Sequence, residues 1–186
     1  ELFGRQVESI RAQTGCDWHC LISDDCSGDQ EFAAIKEVLA GDDRFTLTRS
    51  EANLGFYRNF ERALMMIPGE FDLIALSDQD DVWHPDKLAS LIAGMGDAAL
   101  VYSDQRLVDE QGNLIAPTYW TTRKNCWDDL ISLLIANTVT GAASMIRRSL
   151  LELALPFPEL PGEQYHDHWL ALVALVAGLP AVAAAL

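Results

Sequence analysis

The sequence is short of positive charge: 13 Lys and Arg stand against 28 Asp and Glu, a formal charge of −15 at pH 7. That deficit excludes a nucleic-acid binder, which needs a basic footprint to neutralise phosphates. It also sets a condition on any anionic substrate, which would be repelled unless a bound cation inverted the local field. Cysteine is scarce as well, at Cys16, Cys20, Cys26 and Cys126. Gaps of three and five residues between the first three are loose for zinc, and His19 falls on an expected strand between two of them. Free thiols of a reducing compartment are therefore expected, rather than a zinc site or a disulfide. Low-complexity segments and internal repeats are missing. The opening Glu-Leu-Phe-Gly-Arg-Gln has no apolar core of a signal peptide. The uncharged run Leu170 to Leu186 is at the short edge of a membrane span and is interrupted by Gly178-Leu179-Pro180. A buried helix followed by a buried strand is expected there, and no transmembrane segment.

What is present is an ordinary folding composition. With 186 residues, 49% apolar and 22% charged, the chain can bury one core, so a single domain over 1–186 is expected. Short β-type runs alternate with amphipathic stretches. Helices are expected at Phe3 to Arg11, Phe32 to Leu39, Asn53 to Ile67 and Pro85 to Met95. Strands are expected at Trp18 to Ser23, Phe45 to Thr48, Phe71 to Ser77 and Ala98 to Ser103. The run Phe71 to Ser77 is continuously apolar and reads as a strand buried on both faces. Such alternation predicts an α/β fold with a mostly parallel central sheet flanked by helices. After residue 104 the rhythm changes. Leu107 to Ile115 reads as a hairpin around Gln111-Gly112-Asn113, then come a helix near Trp127 to Ala136, a strand at Ala142 to Ile146 and a helix from His166. In that last helix Leu170, Val173 and Ala174 are spaced to face the core, leaving Asp167 towards a cleft. The chain opens on a helix where such sheets usually open on a buried strand, so a first strand and the loop after it are expected to be missing from this sequence.

Ligands of parallel α/β sheets sit beyond the carboxyl ends of the strands. Three polar clusters fall at such ends: Asp24-Asp25, Asp78-Gln79-Asp80-Asp81 and Ser103-Asp104. Carboxylates crowded after a strand repel one another, and a hard cation relieves them. Mg2+ or Mn2+ takes one or two carboxylates and completes its shell with water and substrate phosphates. The bland alternative is a solvated loop capping the helix at Pro85. Asp24-Asp25 suits either a turn and helix cap or a carboxylate receiving a nucleobase N–H or ribose hydroxyl. Asn53-Leu54-Gly55 suits a helix entry or a pocket wall, and Arg58 faces phosphate or water. In His166-Asp167-His168-Trp169 a helix N-terminus would keep Asp167 ionised and able to accept a proton, or Asp167 simply complements the dipole. The two histidines, two apart on a helix, point apart and do not suit a shared metal.

With these residues assembled, the sequence resembles glycosyltransferase family 2, the inverting enzymes of GT-A fold, and within it a bacterial rhamnosyltransferase-like branch. The matching stretches are Leu21 to Asp25, Asn53-Leu54-Gly55 with Arg58-Asn59-Phe60, Asp78 to Trp83 with Pro85 to Leu88, Val101 to Asp104, Asn137 to Gly141 and His166 to Trp169. The resemblance implies a nucleotide-sugar-binding half, 1–104, and an acceptor-side half, 105–186. Asp24, Asp25, Asn53, Gly55, Arg58, Asp78 and Asp104 would contact the donor, a UDP-, dTDP- or GDP-sugar. Asp78 and Asp80 would form the metal-binding Asp-x-Asp pair, with Asp80 the direct ligand, and Asp167 would be the general base. It further implies transfer of a sugar, rhamnose among the candidates, to a saccharide or lipid-linked saccharide in bacterial surface polysaccharide synthesis. The place of action would be the cytoplasm, peripheral to the inner face of the membrane. Cys26-Ser27-Gly28 departs from the family's commoner Gly-Ser-Thr. The rival readings are a nucleotidyltransferase on a similar sheet, although no basic, Gly-rich phosphate loop is found, and a non-catalytic divalent-cation-binding module.

Overall fold

The structure is a computed structural model that describes residues 1–120, 128–159, 165–179 and 181–184. Helix α1 (Leu2–Arg11) leads into β1 (Cys20–Asp24), α2 (Asp29–Leu39), β2 (Phe45–Arg49), α3 (Phe56–Met65), β3 (Leu73–Ala75), α4 (Lys87–Met95) and β4 (Leu100–Ser103). The hairpin β5 (Leu107–Val108) and β6 (Leu114–Ala116) follows, then α5 (Leu130–Ile135). A 3-10 turn (Gly141–Ala143) runs into β7 (Ser144–Arg147), and the chain closes with α6 (Arg148–Ala154), α7 (His166–Val176) and β8 (Ala181–Ala184). The helix expected to start near Trp127 begins, within the described residues, at Leu130; Trp127 and Cys126 lie outside them.

β1 and β2 pair in parallel, Cys20 opposite Phe45 and Asp24 opposite Arg49. The larger sheet has the order β3-β7-β4-β8. Strands β4 and β8 are parallel, as expected, but β7 runs antiparallel to both its neighbours. The sheet is therefore mostly parallel in strand direction, with β3, β4 and β8 running one way and β7 alone reversed. Alternation of strand and helix signals parallel pairing only while each strand is followed by a crossover helix. The hairpin and α5 interrupt that rhythm and let β7 enter between β3 and β4 from the opposite end.

Two apolar clusters hold the layers together. One gathers Tyr57 and Leu64 of α3, Leu100 and Tyr102 of β4, Ile146 of β7, Leu150 of α6 and Leu170 of α7. The other sets Leu88, Leu91 and Met95 of α4 against Ile10, Val101 and Met145. Their three-, four- and seven-residue spacing on α4 makes one buried stripe, and Gly96, at φ +49°, ends the helix in a backbone region other residues rarely adopt. On α7, Leu170 and Ala174 are buried as expected, whereas Val173 is only half-buried at the margin of its cluster. β3 is shorter than its apolar run, and Leu73 and Ala75 are half-buried. Residues of β1 and β3, with Phe60 and Leu64 of α3, line a cavity of about 390 Å³. That cavity, rather than a second packed face, meets the edge of β3.

Candidate active site

The acidic loop leaves β3 through Leu76 and Ser77, and α1 fixes its course. Gln6, Ser9 and Gln13 are polar yet buried, spaced along one face of α1 and the turn after it. The Gln6 amide donates to Ser77 Oγ (2.6 Å) and to the Asp78 carbonyl. Ser9 Oγ accepts from the Trp83 N–H at 3.0 Å. Gln13 donates to the His84 carbonyl (2.7 Å) and accepts from the Leu88 N–H (3.0 Å). Buried polar groups are costly unless satisfied, and here their partners are mostly the backbone of the loop. The clamp has a signal in the sequence, polar residues interrupting an otherwise apolar helix stripe, that pattern reading passed over.

Within the loop, Asp78 and Asp81 are half-buried and Asp80 is exposed. Burial pushes the Asp78 carboxyl up to about 6, reinforced by the charges of Asp81, Asp80 and Asp167, with Lys87 pulling the other way. Burial also raises Asp81, partly offset by Lys87. Asp167 thus stands close enough to the loop for its charge to be felt there, although 89 positions (167 − 78) separate it from Asp78.

Asp167 sits in the first turn of α7, where the helix dipole favours an anion. Its carboxylate accepts from Asn137 Nδ2 and the Gly141 N–H, each at 2.9 Å, and from the His168 N–H at 2.6 Å. Three donors from two segments fix its orientation. The approach at Gly141 is close: a Cβ there would lie 2.6 Å from His166 Nε2 and 3.3 Å from Asp167 Cβ. His168 Nε2 meets the Leu133 carbonyl at 2.6 Å. The flanking histidines thus diverge, His168 towards α5 and His166 onto Phe60.

The sequence profile of glycosyl transferase family 2 matches residues 1–153. The chain belongs to that family. It is 26% identical over 175 residues to an Escherichia coli protein named UDP-Glc:alpha-D-GlcNAc-diphosphoundecaprenol beta-1,3-glucosyltransferase WfgD, covering 90% of this chain and 62% of that one. The fold is shared with the mannosyltransferase PcManGT of Pyrobaculum calidifontis, solved with GDP-Man and Mn2+ (TM-score 0.70, 16% identity, 98% of this chain and 50% of that one). It is shared too with Staphylococcus aureus TarS (TM-score 0.69, 16% identity, 95% and 52%). The chain spans less than two thirds of the length of the curated relatives it matches.

As a GT-A-type glycosyl transferase family 2 domain, the chain presents its other singled-out residues as follows. The Asp25 carboxylate accepts from the N–H groups of Leu54 (2.7 Å) and Gly55 (2.9 Å), and Asn53 donates to the Asp25 carbonyl (3.2 Å). The end of β1 and the entry to α3 therefore form one unit, in which Gly55 takes φ +77°. Asp24 is buried, accepting from the Ser27 N–H at 3.0 Å with Arg49 3.6 Å away. Arg58 turns from this end: it donates to Glu61 (2.7 Å), the Phe157 carbonyl (2.8 Å) and the Pro158 carbonyl (3.3 Å). Asp104, exposed at the end of β4, accepts from Thr118 Oγ1, the Gln105 N–H (2.7 Å) and the Tyr119 N–H (3.0 Å). Although what burial it has works upward, those bonds hold its carboxyl below the usual range. Asn59 and Arg62, on α3, both bond Ser23 at the end of β1.

A divalent cation fits what the acidic loop offers. Among the described residues no three His, Cys, Asp or Glu side chains converge into a ready cage. Mg2+ and Mn2+ need no such cage, since one or two carboxylates suffice when phosphates supply the rest. Burial is the main cause of the upward push on Asp78 and Asp81, and the neighbouring carboxylates add the part that a cation would relieve. Cys16, Cys20 and Cys26 are free, and burial raises the Cys20 thiol to about 12.

His166 carries a prediction of its own. It is buried, its ring stacks on Phe60 with centroids 3.7 Å apart, and both ring nitrogens lack partners. Burial lowers it from 6.5 to about 4, against the opposing pull of Asp167. A folded-state value below the unfolded one means the unfolded chain binds the proton first. Stability is complete above pH 6.5 and falls as pH drops through 6.5 towards 4, by a contribution on the order of 3 kcal/mol. Denaturant melts at stepped pH should show this slope, and His166→Phe, which keeps the stack and removes the proton, should flatten it. Equal slopes in the two proteins would contradict the assignment.

Proposed function

We propose that this chain carries the donor-binding and base-bearing part of an inverting, metal-assisted glycosyltransferase. The observation that supports it is that Asp167 is anchored on Asn137 and Gly141, three residues before Ser144, whose carbonyl accepts from the Leu76 N–H at the head of the acidic loop. In this reading the unit of Asp25, Asn53 and Gly55 borders the nucleoside, with Asp24 behind it, and Asp78 and Asp80 hold Mg2+ or Mn2+, Asp80 as the direct ligand. Arg58 and Asp104, already bonded within the protein, would reach the donor only through those bonded segments. The cation, when bound, offsets the charge of the diphosphate leaving group. Asp167 takes the proton of an acceptor hydroxyl as its oxygen bonds the anomeric carbon and the bond from that carbon to the diphosphate breaks. A purely structural cation-binding module would not need a carboxylate fixed by three donors beside the acids.

The donor class is a UDP-, dTDP- or GDP-sugar, with rhamnose to be tried first because of the branch the sequence resembles. The acceptor is a saccharide or lipid-linked saccharide of a bacterial surface polysaccharide, a reading that the name of the WfgD relative supports. No helix among the described residues is long and apolar enough to cross a membrane. Work in the cytoplasm at the inner membrane face is accordingly proposed as peripheral. The test is a panel of UDP-, dTDP- and GDP-sugars against the full-length chain with Mn2+, read as nucleoside diphosphate released with acceptor. Release from one nucleotide class above the others supports the reading, and no release from any of them contradicts it.

A further inference from the structure

Gly141 opens the 3-10 turn Gly141–Ala143, whose three residues are all buried. Its φ is negative, a region open to any residue, so the backbone does not call for glycine here. Space does. A Cβ on Gly141 would lie 2.6 Å from His166 Nε2 and 3.3 Å from Asp167 Cβ. Neither wall retreats freely. On one side the His166 ring is buried and stacked on Phe60, centroids 3.7 Å apart, and Phe60 packs in turn against the larger apolar cluster. On the other side the turn runs straight into β7, which is paired with both β3 and β4. Ser144 Oγ also donates to the Gly141 carbonyl at 2.8 Å. The absent side chain is what lets the two walls meet.

Their meeting sets one contact of Asp167. Oδ1 accepts from Asn137 Nδ2 and the His168 N–H, neither of which belongs to the turn. The Asn137 amide is itself fixed, because its Oδ1 accepts from the Val139 N–H at 3.0 Å and so leaves Nδ2 to face the carboxylate. Among the described residues Oδ2 has a single donor, the Gly141 N–H at 2.9 Å. We propose that Gly141 is a positioning residue for Asp167: packed without a side chain against the His166 ring, it delivers the N–H that fixes Oδ2. The proposal rests on the base assignment above. With the turn pushed away, the carboxylate is held through Oδ1 alone and its plane is no longer fixed.

The test compares Gly141→Ala, His166→Ala and the double variant in the full-length chain. Exchange of the residue 141 amide is followed by NMR, and steady-state kinetics use the nucleotide sugar that the panel identifies. Gly141→Ala inserts a Cβ where there is no room, so exchange at residue 141 should quicken by about 10-fold or more. Turnover should fall by about 10- to 100-fold with donor KM nearly unchanged, since a small misplacement of the base acts on the transition state. A glycine needed only for stability would lower the melt without this split. His166→Ala empties the space that the Cβ needs. In the double variant both readouts should therefore return to within about 3-fold of His166→Ala alone, the non-additivity of residues in direct contact. Wild-type exchange or wild-type kcat in Gly141→Ala overturns the proposal. A double variant as impaired as Gly141→Ala overturns the His166 ring as the reason for glycine. If Gly141→Ala does not fold, the double variant decides: kcat within about 3-fold of His166→Ala supports the proposal and a greater loss overturns it. The base reading fails separately, by near-normal turnover in Asp167→Asn, and exchange at residue 141 still reports the contact.

Discussion

Replacing Asp167 with asparagine should lower turnover of the full-length enzyme by about 10²–10⁴-fold while leaving donor affinity near wild type. An acceptor hydroxyl is a poor nucleophile at neutral pH, so its proton must leave as the new bond forms. Asparagine keeps the size of the side chain and can still accept from Asn137 or Gly141 through its one carbonyl oxygen, but it cannot take the proton. The loss therefore falls on the transition state and not on the ground-state complex, and it should appear in kcat with little change in KM for the donor. Steady-state kinetics on the donor found by the nucleotide-sugar panel measure both. Near-normal kcat would remove Asp167 from the base role and turn attention to Asp104. In this structure Asp104 spends its carboxylate on Thr118, Gln105 and Tyr119.

Asp80→Asn should act in the opposite order, weakening donor and metal binding before it affects anything else. Asp80 is exposed and the hydrogen bonds that fix the loop come from Gln6, Ser9 and Gln13 to other residues, so the fold should survive. Removing a charged ligand from a site with so few is expected to cost about 10- to 100-fold in Mn2+ affinity, the scale on which charge-assisted contacts contribute. Asp78→Asn is a less clean test, because Asp78 is half-buried and its neutral form is already favoured by its surroundings. Thermal melts without metal should superimpose for wild type and Asp80→Asn. A melt lowered by many degrees would mean that the residue is structural.

Much of this was legible in the sequence because the informative features are local. An apolar run ending in Asp78-Gln79-Asp80-Asp81 declares a strand followed by a crowded loop, and α7 announces itself by Leu170 and Ala174 at helical spacing. Long-range pairing left weaker marks. Nothing in the composition of Ser144 to Arg147 tells that β7 runs against β3 and β4, because strand direction depends on the connection before it. Gln6 and Asp78 bond across 72 positions, and Lys87 reaches Ala142 across 55. Arg58 illustrates the converse: its charge invites a ligand role in the sequence, and only the fold shows its guanidinium bonded to Glu61 and to the carbonyls of Phe157 and Pro158. The parts that resist sequence reading are buried polar groups, whose partners are set by the finished fold.

Every role proposed for these residues requires the acidic loop to bind a nucleoside diphosphate through a divalent cation. The direct measurement is calorimetric titration of the full-length chain with UDP, dTDP and GDP, first with Mn2+ and then with a chelator in excess. A chain of net charge −15 should repel these anions when the cation is removed. At least one of them should bind with Mn2+ present and lose about 10-fold or more in affinity with chelator. Equal affinity in the two conditions would contradict the claim.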